Sequence, residues 1–125
     1  MPRALQQDRA ETRTPVFQLT DGFDDDVWSD FQPRLTEMEA VVTDNYVGGC
    51  YPVLYVRCRD GRNWTIELAN RARNDEVGLT EFAVMPGDKV QIIGRRTRHF
   101  GEYRIKALHV TVGDKAYDLY PDALV

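Results

Sequence analysis

The sequence is poor in the residues from which disulfides and metal sites are usually built. Its 125 residues include two cysteines and two histidines. An extended chain from Cys50 to Cys58 would hold their Cα atoms well beyond the ~7 Å reach of a disulfide. No third sulfur or histidine lies near them, which disfavours a zinc site. We therefore predict two free thiols, with Cys58 as a small core residue, and neither a metal nor a cofactor.

Long hydrophobic runs are also missing. No apolar stretch approaches the roughly 20 residues that a membrane helix needs. The N-terminal residues 1–8 lack the apolar centre of a signal peptide. We therefore expect no membrane span, and the compartment stays open between the cytoplasm and export with a leader that this sequence lacks.

The net charge of −4 is unevenly distributed along the chain. Residues 1–44 hold four Arg against ten Asp and Glu, whereas residues 45–110 hold eleven Lys and Arg against seven Asp and Glu. A basic central part permits a polyanionic ligand, and it equally permits the acidic N-terminal part to lie across it.

The N-terminal part is expected to stand apart from the rest. Residues 1–19 are polar and aperiodic, which predicts a flexible extension. Residues 20–125 are expected to form one domain, beginning with a short helical arm that has Thr20 or Asp21 as a cap and Pro33 as its stop. The acidic cluster from Asp21 to Asp30 lacks the spacing and closing glutamate of a calcium loop, so helix capping explains it.

Alternating apolar residues predict five strands and a short sixth. Asp60-Gly61 is the strongest hairpin signal, and the polar stretch 69–77 followed by Gly78 predicts a short helix. Leu79, Phe82 and Val84 should then return to the core. The predicted strands are 37–46, 52–59, 63–68, 89–95, 103–110 and a short segment with Tyr117 and Leu119.

The order of these elements predicts an all-β fold. Five to six strands, with one short helix between strands 3 and 4 and another at the N-terminus, match an antiparallel barrel of the oligonucleotide/oligosaccharide-binding (OB) type. Because no long helices separate the strands, a parallel α/β fold is disfavoured.

Short motifs between Glu39 and Asp118 carry a resemblance to a known family. They are Asp60-Gly61, Trp64-Thr65-Ile66-Glu67, Gly78-Leu79-Thr80, and Pro86-Gly87-Asp88-Lys89-Val90 continuing to Gly94. On these motifs the chain resembles a family of small uncharacterised bacterial proteins with an OB-like fold, usually exported. The resemblance implies the fold and no particular reaction.

The loop after the fourth strand is the first candidate binding site. Cations and aromatic rings alternate in it, which is typical of surfaces that grip phosphates and stack bases. The alternative is a solvated hairpin whose charges protect the edge of the sheet. The candidate residues are Arg95, Arg96, Arg98, His99, Phe100, Tyr103 and Arg104, with Lys106 as a further cation in the strand that follows.

The exposed face of the second strand is the second candidate. Tyr55 and Arg57, with Tyr51 before the strand, could form the platform on which OB proteins lay a ligand. The alternative is ordinary cross-strand pairing of aromatic residues and arginine. Trp64 alternates with apolar residues and is therefore expected in the core.

Catalytic signals are weak. His99, Cys50 and Glu67 could in principle form a nucleophile–base arrangement, but nothing in their spacing requires it. His109 lies in a strand, where a structural role is the simpler interpretation.

The sequence therefore predicts a non-enzymatic OB-type binding module. Its leading ligand is a polyanion, with single-stranded nucleic acid as the main example. One alternative is an interaction module that binds an acidic protein partner. Another is a small-ligand binder or enzyme that uses Tyr51, Trp64, Glu67 and His99 at the barrel mouth.

Overall fold

The strands lie close to where the alternating pattern places them. The computed structural model describes residues 28–121, and every strand within it lies within two residues of its predicted bounds at each end, apart from the short last one. They are β1 Thr36–Tyr46, β2 Val53–Cys58, β3 Asn63–Glu67, β4 Lys89–Arg96, β5 Arg104–Val112 and β6 Lys115–Asp118, with one helix, α1 Arg71–Glu76, between β3 and β4.

Five of these strands close into a barrel. β1 pairs with β2 and β4, β2 pairs with β3, and β4 pairs with β5, all antiparallel. A parallel pairing of Thr65–Glu67 with Arg104–Lys106 closes the ring between β3 and β5. β6 lies outside the ring and pairs with β5. The OB-like barrel is confirmed.

The prediction of a wholly antiparallel barrel is wrong at the β3–β5 seam. Strand direction must alternate around an antiparallel ring, and an odd number of strands cannot alternate without a break. One pair of neighbours therefore has to run in the same direction. In this chain that pair is β3 and β5.

The interior is filled by the residues that the alternation assigned to it. Leu54 and Val56 of β2 and Ile66 of β3 are fully buried, and Trp64 is nearly so. Cys58 is half-buried at the end of β2 with its sulfur 3.8 Å from that of Met38, and both cysteines are free. Their predicted state is confirmed.

The connection from β3 to β4 is held by local hydrogen bonds. The side chain of Asn70 accepts a hydrogen bond from the Arg73 N–H at the start of α1, and Gly78 stops the helix with φ of 88°. Leu79 and Val84 are buried as predicted, but Phe82 is 82% exposed. The Ala83 N–H bonds to the Thr80 carbonyl, and this tight turn places Phe82 on its outer side.

The two ends of the described chain meet over β5. The Trp28 ring packs edge-on against Tyr120 at 5.2 Å, and an isolated bridge pairs Phe31 with Thr97. Residues 1–27, which hold the predicted extension and most of the predicted helical arm, lie outside the described residues. Within residues 28–121 no helix has the length and apolarity to traverse a bilayer.

Lys106, which the sequence suggested as a cation of the basic binding surface, is instead buried beneath this junction. Its Nζ donates a hydrogen bond to the Leu68 carbonyl at 3.4 Å and lies 5.3 Å from the Trp28 ring and 5.5 Å from the Tyr120 ring. Burial lowers the pKa of Lys106 below its ordinary value of 10.5, and the Glu67 carboxylate partly opposes this. Burial also raises the pKa of Tyr120 above 10.0.

Stability should therefore rise with pH on the alkaline side. Between the lowered pKa of Lys106 and pH 10, the unfolded chain binds more protons than the folded chain, so the free energy of unfolding increases with pH. Below that window the burial cost of the ammonium is fully present. From about pH 9 the raised pKa of the Cys58 thiol contributes in the opposite direction, and above about pH 10 the raised pKa values of Tyr46 and Tyr120 add to that loss.

Urea unfolding at several pH values below 10 should show a free energy of unfolding that increases more with pH in the native protein than in Lys106→Met, since the difference isolates the contribution of Lys106. The exposed Lys115 offers a matched control, since Lys115→Met should keep the native profile. Equal pH slopes in the native protein and Lys106→Met would contradict the assignment.

Candidate functional site

The register of the sheet places an aromatic ring and a cation in one row on the outside of the barrel. Tyr55 of β2 is opposite Thr65 of β3, and Thr65 is opposite Arg104 of β5. Residues in one row point to the same face, and the row crosses two strand spacings, roughly 10 Å. The parallel seam therefore joins the two candidate surfaces that the sequence placed on separate strands.

A second aromatic residue extends this row. Tyr46, the last residue of β1, meets Tyr55 edge-to-face with ring centroids 5.5 Å apart. Its hydroxyl donates to Asp44 at 3.1 Å, and this hydrogen bond to the carboxylate raises the pKa of Tyr46. Both rings are partly exposed. Sequence reasoning missed Tyr46 because it lies at a strand end, where its partner depends on the register.

Arg57 supplies a further cation on the same side. Its Nε donates to the Asn63 side-chain oxygen at 3.1 Å, across the β2–β3 pair, and the residue is exposed. We use the name candidate face for the surface formed by Tyr46, Tyr55, Arg57, Thr65 and Arg104.

Arg104 is oriented by acidic neighbours. Its Nη1 lies 2.6 Å from the Glu67 carboxylate, and its Nε lies 3.9 Å from Glu102. The hydrogen bond that Arg104 donates to Glu67 raises the pKa of Arg104, against a smaller opposing effect of burial. Arg104 is therefore charged and held over β3, while its side chain stays 44% exposed.

The basic loop does not form one cationic patch. β4 continues through Arg96, so Arg95 and Arg96 point to opposite faces. Arg95 lies over the Trp28 ring at 5.0 Å, and Arg96 lies over the Trp64 ring at 4.8 Å. Both guanidinium groups are half-buried against aromatic rings, which leaves them less available to a ligand than Arg104.

Tyr103 connects the loop to the barrel mouth. Its ring meets the buried Trp64 ring in an edge-to-face contact with centroids 5.3 Å apart, and the Arg62 guanidinium lies over the Tyr103 ring, 4.8 Å from its centroid. The sequence prediction that Trp64 belongs to the core is confirmed. Arg62 is a missed neighbour of the site, because the contact brings together two loops distant in sequence.

The tip of the loop is exposed. The Phe100 side chain is fully accessible, and Arg98 and His99 are exposed beside it. The Arg98 N–H bonds to the Asp30 carbonyl at 2.8 Å, and His99 Nε2 lies 3.8 Å from the Asp30 carboxylate. Tyr51, in the loop before β2, is also exposed.

The catalytic arrangement is not assembled. His99 and Glu67 line one open pocket of about 300 Å³, together with Asp30, Glu102 and Arg104, but Cys50 is not among its lining residues. His109 contacts Asp118 across the β5–β6 pair. Among residues 28–121 no group of histidine, cysteine and acidic side chains is arranged to hold a metal ion.

Comparison with known structures supports the fold. The chain is similar to one in the crystal structure of the S. pombe Stn1–Ten1 complex, with a TM-score of 0.53 and 13% identity. The match covers 73% of this chain and 63% of the chain in the complex. This chain therefore spans less than two thirds of the length of the chain that it matches. At this identity the likeness concerns the fold alone.

No family model and no curated protein matches the sequence. The resemblance to an exported bacterial family therefore stays a prediction.

Proposed function

We propose that the chain is a non-enzymatic OB-type module that binds single-stranded nucleic acid across the candidate face. The observation that carries the proposal is the row from Tyr55 through Thr65 to Arg104, created by the parallel β3–β5 seam. A ring and a cation on one open surface can hold a base and its phosphate together.

Stacking would come from the aromatic side chains. Tyr55 is 40% exposed and packs edge-to-face against Tyr46, a contact that restrains its ring while leaving part of it open to a base. The exposed rings of Tyr51 and Phe100 lie in the two loops that lead into β2 and β5. Stacking tolerates any base, because every base has a π-face.

Phosphate contacts would come from Arg57, Arg104 and Arg98. Residues 28–121 hold thirteen basic and thirteen acidic side chains, so attraction depends on local placement and not on net charge. Three phosphate contacts correspond to a salt slope of roughly −2 for a single strand. Affinity should therefore be modest. His99 and Tyr103 border the face, and Arg95 and Arg96 are the weakest of the predicted phosphate ligands because their planes are stacked on tryptophan.

The second candidate function is an interaction module for an acidic protein partner. One observation favours it: the similar chain belongs to a complex of two proteins, Stn1 and Ten1. The same arginines would then bind carboxylates, which arginine does through paired hydrogen bonds.

Fluorescence anisotropy with a labelled mixed single strand tests the first proposal. Tyr55→Ala should weaken binding by about 1–3 kcal/mol, the value of one stacked base, or roughly 5- to 150-fold. Arg104→Gln should make the salt slope shallower by about 0.7. Phe82→Ala removes an exposed aromatic ring outside the candidate face and should bind like the native protein.

Two results would reject the proposal. One is the absence of binding at about 20 mM salt, where electrostatic attraction is strongest. The other is an equal effect of Tyr55→Ala and Phe82→Ala. Binding of an acidic peptide in place of nucleic acid would favour the second candidate.

A further inference from the structure

A groove of about 700 Å³ crosses the outside of the barrel next to the candidate face. It runs over β2, β1, β4 and the end of β5. Its walls combine three basic side chains and one acidic side chain with uncharged polar and apolar groups. The charged residues are Arg57, Arg59, Lys89 and Glu39, and the uncharged ones include Val41, Thr43, Gln91 and Thr111.

The register explains why the cations converge there. Val41 of β1 is opposite Arg57 of β2 on one side and opposite Lys89 of β4 on the other. The three side chains therefore form one row, with an apolar floor between two exposed cations. Arg59 follows Arg57 by two positions and is exposed in the same groove.

Arg57 lines the groove and also belongs to the candidate face. A chain-like ligand that leaves Tyr55 toward the end of β2 reaches Arg57 first, since the two alternate positions share one side of the strand. Beyond Arg57 its path lies over Val41 toward Lys89. Among the residues that line the groove, three are cations and only Glu39 carries a carboxylate, so the groove attracts anions.

We propose that this groove is a second binding segment, which takes the continuation of the same single strand through contacts of Arg59 and Lys89 with its phosphates. The proposal rests on the proposed function of the candidate face and extends its footprint across β1 and β4. A short single strand of nucleic acid would occupy the candidate face alone, and a longer one would occupy both the candidate face and the groove.

Binding of two mixed-sequence single strands, one of about five and one of about fifteen nucleotides, distinguishes the candidate face from the groove. The lengths lie near the two ends of the range of about 4 to 16 nucleotides that OB domains cover. Two additional phosphate contacts should make the salt slope of the longer strand steeper by about 1.4. The number of binding registers on a longer strand changes its affinity but not this slope. Arg59→Gln with Lys89→Gln should remove the difference and weaken the longer strand roughly tenfold, leaving the shorter one unchanged.

The double variant Arg34→Gln with Arg71→Gln is the matched control. It removes the same charge from two exposed positions that line neither the groove nor the candidate face, so it should leave both strands unaffected. Equal losses in the two double variants would overturn the proposal by showing an effect of net charge alone.

The remaining outcomes distinguish the two proposals. If both strands bind with the same salt slope, the groove is not used while the candidate face still stands. If neither strand binds, both proposals fail. A poly-glutamate peptide, measured in parallel, tests whether the groove binds acidic polypeptides instead. If Arg59→Gln with Lys89→Gln weakens binding of this peptide, and the salt slope for nucleic acid does not depend on strand length, the groove belongs to acidic polypeptides and the proposal is overturned.

Discussion

Replacing Trp64 by alanine should lower the free energy of unfolding by about 3–5 kcal/mol, the usual cost of deleting a large buried aromatic side chain. Trp64 is 8% exposed and fills the barrel interior beside Ile66. Its ring also supports Arg96 and Tyr103. The substitution therefore opens a cavity and removes the support of the loop at the same time.

Urea unfolding followed by circular dichroism measures this loss. Trp28→Ala is the matched control, because Trp28 is equally buried but packs on the outside of the barrel, against Tyr120. The stability lost in Trp28→Ala should be smaller, since the cavity would lie outside the ring of five strands, between Tyr120 and Phe31. A cost for Trp28→Ala equal to or above that of Trp64→Ala would contradict the assignment of Trp64 as a central core residue.

Gly94→Ala should destabilise the protein by about 3 kcal/mol through overpacking. Gly94 lies at the bulge where β4 shifts its register against β5. A Cβ atom there would collide with the Lys106 carbonyl oxygen and would lie 2.9 Å from the Lys106 carbonyl carbon and 3.0 Å from the Ala107 Cα. These neighbours are backbone atoms of a ring strand, so they cannot yield without breaking the β4–β5 pairing.

Gly48→Ala is the matched control for this prediction, because the added Cβ atom would meet a side chain and not the backbone. A Cβ atom at Gly48 would meet the Glu81 carboxylate, the mobile end of an exposed side chain. That side chain can rotate away, so the cost should stay within about 0.5 kcal/mol, as for most surface substitutions. Thermal or urea unfolding of the two variants side by side decides the matter, and equal stabilities would show that the β4–β5 contact is not tight.

Local chemistry explains which parts of the fold were predictable. The alternation from Val53 to Cys58 reveals a strand with one buried side, because side chains alternate between faces. Asp60-Gly61 and Gly78 reveal turns, because a glycine accepts the positive φ that each turn needs. Phe82 was misplaced because a single tight turn, set by the Thr80 carbonyl, reversed the direction of its side chain.

The candidate site depends on contacts that a linear pattern does not contain. The row of Tyr55 and Arg104 exists only through the β3–β5 pairing, and the ion pair of Glu67 with Arg104 joins residues 37 positions apart. Arg95 and Arg96 looked like one patch because the fourth strand was expected to end at Arg95. One further strand residue is enough to place the two guanidinium groups on opposite sides of the sheet.

The parallel seam has a consequence for how occupancy and stability are linked. Arg104 lies beside Thr65 only while β3 and β5 are paired. A single strand of nucleic acid bound across both would therefore hold the pair closed. Transient opening of the ring would have to release the ligand first. Saturating ligand should therefore slow hydrogen exchange at the amides of residues 65–67 and 104–106. The amides of β6 should be slowed less, because the bound nucleic acid does not cross that strand.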